Sequence, residues 1–312
     1  AYMWQNGKAV RRGLLYKFSS GFYYQPPFYR EFRTFDGNLA LGVQSQKSFH
    51  AVLGSEFQFQ MWGRSTPFKL NSELYYKHLW DLNPYEIENV RTRYYATNNA
   101  VGYAYGLDVN VHGEFVEGIQ SFFKVGLLST REDIDGDQYT IYYNAAGERI
   151  IFGYSEDQTV VDSTVVFPGF IPRPTDQWFT FGALVQDQMP GFEAFKVQMG
   201  LQYGSRLPYG PPDFTRYKDT LRMRSYFRVD LGLSYDLLHH RTLTSSSEQS
   251  SKFLNTRGRA IDQALVSLEI FNILGVNNVL SKQWIQDVQG KFYAVPNYLT
   301  QRLFNLKLSI VL

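Results

Sequence analysis

Arg302-Leu303-Phe304-Asn305-Leu306-Lys307-Leu308-Ser309-Ile310-Val311-Leu312 is the stretch whose reading decides the fold. Successive side chains of an extended strand point to opposite faces. One face of this stretch therefore carries Phe304, Leu306, Leu308, Ile310 and Leu312, and the other carries Leu303, Asn305, Lys307, Ser309 and Val311. The first face is wholly apolar.

The same alternation recurs upstream. Phe227, Val229, Leu231, Leu233, Tyr235 and Leu237 stand against Arg228, Asp230, Gly232, Ser234 and Asp236. Residues 49 to 61 set Phe49, Ala51, Leu53, Phe57, Phe59 and Met61 against His50, Gly54, Glu56, Gln58 and Gln60. Residues 105 to 115 and 195 to 203 repeat it, with Tyr105, Leu107, Val109, Val111 and Phe115, then Phe195, Val197, Met199, Leu201 and Tyr203, on their apolar faces. These runs far exceed the ~5 to 6 residues of a soluble sandwich strand.

Ten strands are read, near 12 to 23, 47 to 61, 67 to 80, 102 to 114, 120 to 131, 177 to 187, 194 to 205, 224 to 237, 261 to 280 and 302 to 312. Long connections (24 to 46, 81 to 101, 132 to 176, 206 to 223, 281 to 301) alternate with short ones at 62 to 66, 115 to 119 and 188 to 191. The polar, Ser-rich stretch 238 to 260, with His239, His240 and Arg241, breaks the short-turn rule. Long amphipathic strands with this asymmetry of connections predict an all-β transmembrane antiparallel β-barrel. Aromatic rings near strand ends (Trp62, Tyr75, Tyr76, Trp80, Tyr103, Trp178, Tyr203, Tyr226 and Trp284) are expected to form two belts at headgroup level.

Composition agrees with this and excludes other classes. The 312 residues are 44% hydrophobic and 17% aromatic, which excludes a disordered chain. A formal net charge of +2 offers no basic face for a nucleic-acid partner. Mean hydropathy is −0.31, and no apolar run approaches the ~20 residues of a membrane helix. Barrels escape that test because only alternate residues meet lipid. The chain has no cysteine, so disulfides and thiolate metal sites are absent. It starts at Ala1 with no signal sequence ahead of it, so export requires a leader, or more, lost from its front.

Tyr226-Phe227-Arg228-Val229-Asp230-Leu231-Gly232-Leu233-Ser234-Tyr235, then Leu268-Glu269-Ile270-Phe271-Asn272-Ile273-Leu274 and the terminal stretch resemble the closing strands of TonB-dependent outer-membrane receptors. So does Gly204-Ser205-Arg206-Leu207-Pro208-Tyr209-Gly210-Pro211-Pro212, and the combination looks most like receptors of the Bacteroidetes type. The resemblance implies that residues 1 to 312 are the C-terminal half of a 22-stranded barrel whose plug lies outside this chain. It further implies active nutrient uptake, with outer-membrane lipid, the plug, the remaining strands, TonB and a surface lipoprotein or other complex subunits as partners. Two alternatives stand beside it: a structural or scaffold barrel in a larger surface complex, and a self-contained ten-stranded barrel.

For uptake, ligand contacts are expected from Tyr139, Tyr142, Tyr143, Arg173, Trp178, Arg206, Tyr209, Arg216, Tyr217 and Arg222 in the long loops. Lys69, Glu73, Asp108, Glu114, Arg228, Asp230, Glu269 and Lys307 are expected to face the lumen and plug. Asp133, Asp135 and Asp137 around Gly136 form a candidate Ca2+ loop, set against a solvated turn. Tyr139 to Tyr143 and Glu148 to Phe152 suggest a hairpin around Asn144-Ala145-Ala146-Gly147. No cofactor is expected, no two histidines have metal-ligand spacing, and no motif supports an enzyme.

Overall fold

The computed structural model describes residues 2–5, 8–11, 13–63, 66–116, 119–189, 192–213, 215–237, 263–299 and 301–311. Five strands form the first half of one sheet: β1 (Gly13–Gln25), β2 (Gln46–Phe59), β3 (Phe68–Leu82), β4 (Ala100–Val116) and β5 (Ile119–Ile134). The second half is β6 (Phe179–Met189), β7 (Phe192–Gly204), β8 (Tyr226–Asp236), β9 (Gln263–Phe271) and β10 (Leu303–Val311). Each strand pairs antiparallel with its neighbours in sequence, so the sheet is a single meander from β1 to β10.

Register keeps like with like across the meander. Phe18 faces Leu53, Leu53 faces Leu74, Leu74 faces Leu107, Leu107 faces Leu127 and Leu127 faces Phe179. Farther along, Val185 faces Met199, Met199 faces Leu231, Leu231 faces Ile270 and Ile270 faces Phe304. A slip of one residue in any pair would turn these side chains to the other face, so the apolar pattern itself fixes the register.

Among the described residues no second sheet covers the apolar face. Phe18 is 72% exposed, Leu74 56% and Leu306 74%. Leaving one such side chain in water forgoes about 1.5 to 3 kcal/mol. More than a dozen large side chains on this face are exposed, so the loss reaches roughly 20 to 40 kcal/mol, above the ~5 to 15 kcal/mol of net stability a domain has. The face therefore requires an apolar surround. The buried apolar cluster lies elsewhere, where Leu79, Leu82, Ala100, Ile134 and Ile171 meet at the loop ends of β3 to β5.

Rings gather on the apolar face at two levels. At the short-turn end Phe59, Trp62, Phe68 and Phe115 pack with centroids 5.0 to 6.0 Å apart. At the loop end Phe22 packs on Phe49 at 5.1 Å and on Trp80 at 6.3 Å, and Phe179 meets Trp178 and Tyr203, each at 5.8 Å. Ten residues separate Phe49 from Phe59, about 34 Å of strand or roughly 26 Å of height at a tilt of ~40°. That matches the ~25 Å apolar band of an outer-membrane barrel.

Three of the expected belt residues are elsewhere. Tyr75 lies opposite Gly106 on the polar face, and Tyr226 shares the alternation of Arg228 and Asp230. Trp284 is in a loop hairpin, its indole N–H donating to the Gly210 carbonyl at 3.2 Å.

The ninth strand also differs from the expected 261 to 280. It stops at Phe271 because Asn272 takes φ +51° and its side chain clasps Val276, donating to the carbonyl at 2.9 Å and accepting from the N–H at 3.1 Å. The chain resumes as a hairpin of Val279–Gln286 with Phe292–Tyr298. In the β5–β6 loop, Tyr139–Tyr143 pairs with Asp162–Val166 rather than with 148 to 152. The turn at Asn144 to Gly147 does form, but its return leg makes only an isolated bridge between Tyr143 and Arg149. The 238 to 260 segment lies outside the described residues, as does Leu312.

The connections of 26 to 45, 83 to 99, 135 to 178, 205 to 225 and 272 to 302 all leave from one end of the meander. The 135 to 178 connection leans over the polar face: Arg173 and Thr175 share a 480 Å³ cavity with Tyr23, Ser48, His50 and Lys77. Loops from distant strands also meet one another. Asn297, in the β9–β10 hairpin, donates to Asn89 in the β3–β4 hairpin (Tyr85–Glu88 with Arg91–Tyr94).

Candidate functional site

A buried ion network ties the loops to the strand ends. Arg216, 1% exposed, donates from Nε to Glu86 Oε2 at 3.1 Å and from one Nη to Glu132 Oε1 at 2.5 Å, and also reaches the carbonyls of Pro172 and Tyr85. Arg173 Nε donates to the other Glu132 oxygen at 3.0 Å. Two guanidiniums thus meet two carboxylates, and their charges balance when both carboxyls are ionised. Removing one partner would strand a buried charge. Burial pushes the Glu86 carboxyl up to about 7 against the pull of Arg216. Tyr95, whose hydroxyl donates to Glu86 at 3.2 Å, is pushed up by burial and by that carboxylate.

A second knot lies beside it. Asp176 accepts from the Thr130 backbone N–H at 2.9 Å and from an Arg222 Nη at 2.6 Å, and the other Arg222 Nη reaches the carbonyls of Asp176 and Arg206 at 3.2 and 3.0 Å. Arg173, Arg216 and Arg222 are therefore engaged within the protein. Tyr217 packs on the buried apolar cluster and against Tyr139 at 6.5 Å.

The remaining loop candidates do not converge on one place. Tyr139 and Tyr142 line a 590 Å³ cleft with Arg149, Tyr154, Pro212 and Phe292. Tyr143 ends its short strand opposite Asp162, and Tyr209 packs on Trp284 at 6.2 Å. Arg206 is exposed, and Trp178 is a belt residue 62% exposed.

A cleft of about 850 Å³ uses residues that the sequence reading passed over. Tyr29, Arg30, Arg33 and Phe35 come from the β1–β2 loop, Glu88, Arg91 and Arg93 from the β3–β4 hairpin, and Trp284 from the β9–β10 hairpin. Arg93 pairs with Glu88, donates to the Phe35 carbonyl and lies 4.8 Å from the centroid of the Phe35 ring. Arg30, Arg33 and Arg91 are exposed, and among the described residues their guanidiniums have no ion pair or hydrogen bond. Arg91 and Arg93, two apart in a strand, project to one side; that spacing is the signal the sequence did offer.

The acidic loop does not assemble a cation site. Among the described residues no three carboxylates or histidines stand close enough to hold a metal ion. Asp133 is held in the β4–β5 ladder opposite Val101, Asp135 N–H bonds the Asn99 carbonyl, and Asp137 sits past a turn closed by its own N–H on Ile134. Asp137 is buried, 8% exposed, and burial and its acidic neighbours push its carboxyl above the usual carboxylate range.

The expected lumen residues share the polar face by register. Glu73 stands opposite Asp108, Lys69 opposite His112, Gly200 opposite Asp230, Glu269 opposite Asn305 and Ser267 opposite Lys307. Glu114 has the alternation of Asp108, beside the register shift at the short-turn end of β4. Arg228 Nε donates to Asp230 Oδ1 at 2.7 Å, and Asn305 donates to Glu269 at 2.9 Å. Asn71 and Asn110 face each other in the same ladder, and their carbonyl oxygens are buried without a hydrogen-bond partner.

No family model matches the sequence, and no curated protein matches it. Solved structures do match in fold. The chain is 15% identical to the ferric-catecholate import receptor Fiu from E. coli K12, with a TM-score of 0.52 over 94% of this chain and 32% of that one. It is 12% identical to the outer-membrane transporter YddB from E. coli, at 0.52 over 95% and 38%. It is 11% identical to the FrpB iron transporter from Neisseria meningitidis, at 0.50 over 97% and 37%. The chain thus spans about a third of the length of these structures and has the fold of part of their barrel.

Proposed function

We propose that this chain is the C-terminal barrel portion of a TonB-dependent outer-membrane receptor, working in active uptake of a nutrient. The observation that carries the reading is the uncovered apolar face, continuous in register across ten strands and bounded by two levels of aromatic rings. Such a face is stable against lipid and costly against water.

The sheet path ends at β1 and β10, each with one described partner in the meander. Open edges leave N–H and C=O groups unpaired, which costs several kcal/mol per group in hydrocarbon. Further strands are therefore the natural complement, as in the transport proteins that share the fold. A plug against the polar face would meet Lys69, Glu73, Asp108, Glu114, Glu269 and Lys307, and would offer donors to the Asn71 and Asn110 oxygens. TonB, acting on that plug, supplies the energy for uptake in this reading. The loops that lean over the polar face are where a ligand is first met, and the chemistry expected of the barrel is transport rather than catalysis.

The test is genetic. Deleting the gene in its host, or deleting TonB, is expected to abolish accumulation of the same nutrient. A deletion strain that matches its parent in uptake of every metal chelate, vitamin, glycan and peptide offered contradicts the proposal and favours a scaffold barrel.

A further inference from the structure

We infer that the 850 Å³ cleft between the β1–β2 loop, the β3–β4 hairpin and the β9–β10 hairpin binds a small solute carrying two or more carboxylate or phosphate groups. This deepens the uptake reading and rests on it for the solute's onward fate, but not for its binding.

The argument starts from charge. Arg30, Arg33, Arg91 and Arg93 line the cleft against the single carboxylate of Glu88, which leaves three positive charges in a space of small-molecule size. Glu88 and Arg93 satisfy each other, and Arg30 also feels the neighbouring Glu31 carboxylate, so the excess resides chiefly on Arg33 and Arg91, whose guanidiniums have no ion pair or hydrogen bond among the described residues. A cleft lined by charge of one sign attracts a solute of the other. A guanidinium offers a planar fork of donors that fits carboxylate and phosphate, two bonds at a time.

The walls add shape. Trp284 is held by its indole N–H on the Gly210 carbonyl, so its ring is fixed at the edge of the cleft, and Tyr29 is 79% exposed across the opening. Arg93 is locked over Phe35 and so ties the β3–β4 hairpin to the β1–β2 loop. The cleft is therefore built before any ligand arrives, which lowers the ordering cost of binding. Every lining residue comes from a loop and none from β1 to β10. That placement favours a dissolved anion over the phosphate of a lipid headgroup, and the concave, small-molecule-sized space favours a small solute over a flat protein partner.

The experiment uses the protein purified in detergent from its own host, with radiolabelled citrate and pyrophosphate as probes in equilibrium dialysis. Saturable binding that weakens as salt is raised is expected for at least one probe, and none for the neutral sugar trehalose. Arg33→Gln with Arg91→Gln is expected to weaken that binding tenfold or more. Arg33→Lys with Arg91→Lys, which keeps the charge but loses the fork, is expected to cost citrate more than pyrophosphate and guards against misfolding of the first variant.

Equal affinity in the parent and both variants, or no saturable binding of either polyanion, overturns the site. Retention only of micelles carrying a phosphorylated lipid overturns the dissolved solute. Accumulation by energised cells is scored separately. Binding through Arg33 and Arg91 without energy-dependent accumulation sinks the uptake reading and leaves the site standing; accumulation that the Gln pair leaves unchanged does the reverse.

Discussion

Arg216 joins three connections that are distant in sequence, because its guanidinium is the shared partner of Glu86 and Glu132 and also reaches Pro172. Arg216→Ala would leave two carboxylates buried with only Arg173 between them. A loss of about 3 to 5 kcal/mol in the stability of the loop assembly is expected, read as faster proteolysis within 85 to 94 and 206 to 223 with the strands intact. Glu86 adds a dependence on pH. A carboxyl raised to about 7 in the folded loop keeps a proton that the opened loop has lost, so folding of the hairpin is favoured at pH 5 and weakens as pH rises from about 4.5 through 7. Hydrogen exchange of the 85 to 94 amides, corrected for intrinsic rates, is expected to show more opening at pH 8 than at pH 5. Glu86→Gln is expected to remove most of that difference.

Within one strand the two faces should answer differently to the same chemistry. Leu74→Lys places a charge at mid-height on the apolar face and is expected to cost about 2 to 4 kcal/mol. Glu73→Lys, one residue away on the polar face and opposite Asp108, is expected to be neutral or slightly favourable. Denaturant unfolding in lipid vesicles separates the two. A backbone contact gives a second contrast. A Cβ at Gly106 would stand 2.2 Å from the Leu127 carbonyl oxygen and 2.4 Å from the Tyr75 hydroxyl, whereas at Gly182 its nearest neighbour is 4.0 Å away. Gly106→Ala should therefore lose about 1 to 3 kcal/mol by overpacking, and Gly182→Ala should be tolerated; the fraction that resists unfolding in cold detergent reports both.

These elements were legible because a period of two survives any tertiary context in which one face is covered by lipid. Tyr75 and Tyr226 could have been placed by the same parity, since Glu73, Lys77 and Arg228 flank them; grouping rings by nearness to a strand end misassigned them. The stop at Phe271 was hidden because Asn272 reads as one more polar residue in an alternating run, and only its positive φ and clasp on Val276 reveal a turn.

At the scale of the molecule, the sequence could not disclose what the loops assemble. The arginine cleft joins residues near 30, 90 and 284, and the Arg216 network joins 86, 132 and 216, through folding rather than spacing. Charged residues are ordinarily assigned to the surface, which is why Arg216 reads as a ligand anchor until its burial is seen. The meander itself poses one physical question, namely what covers its apolar face.

This chain carries no cysteine, so single cysteines placed at each position from 304 to 310 in outer-membrane vesicles can each hold a nitroxide without background from it. Collision with lipid-soluble oxygen and with a water-soluble nickel chelate then reports the surround of every side chain. The account predicts a period of two, with oxygen dominant at 304, 306, 308 and 310 and nickel dominant at 305, 307 and 309. Uniform exposure to the chelate, or the opposite phase, would contradict it.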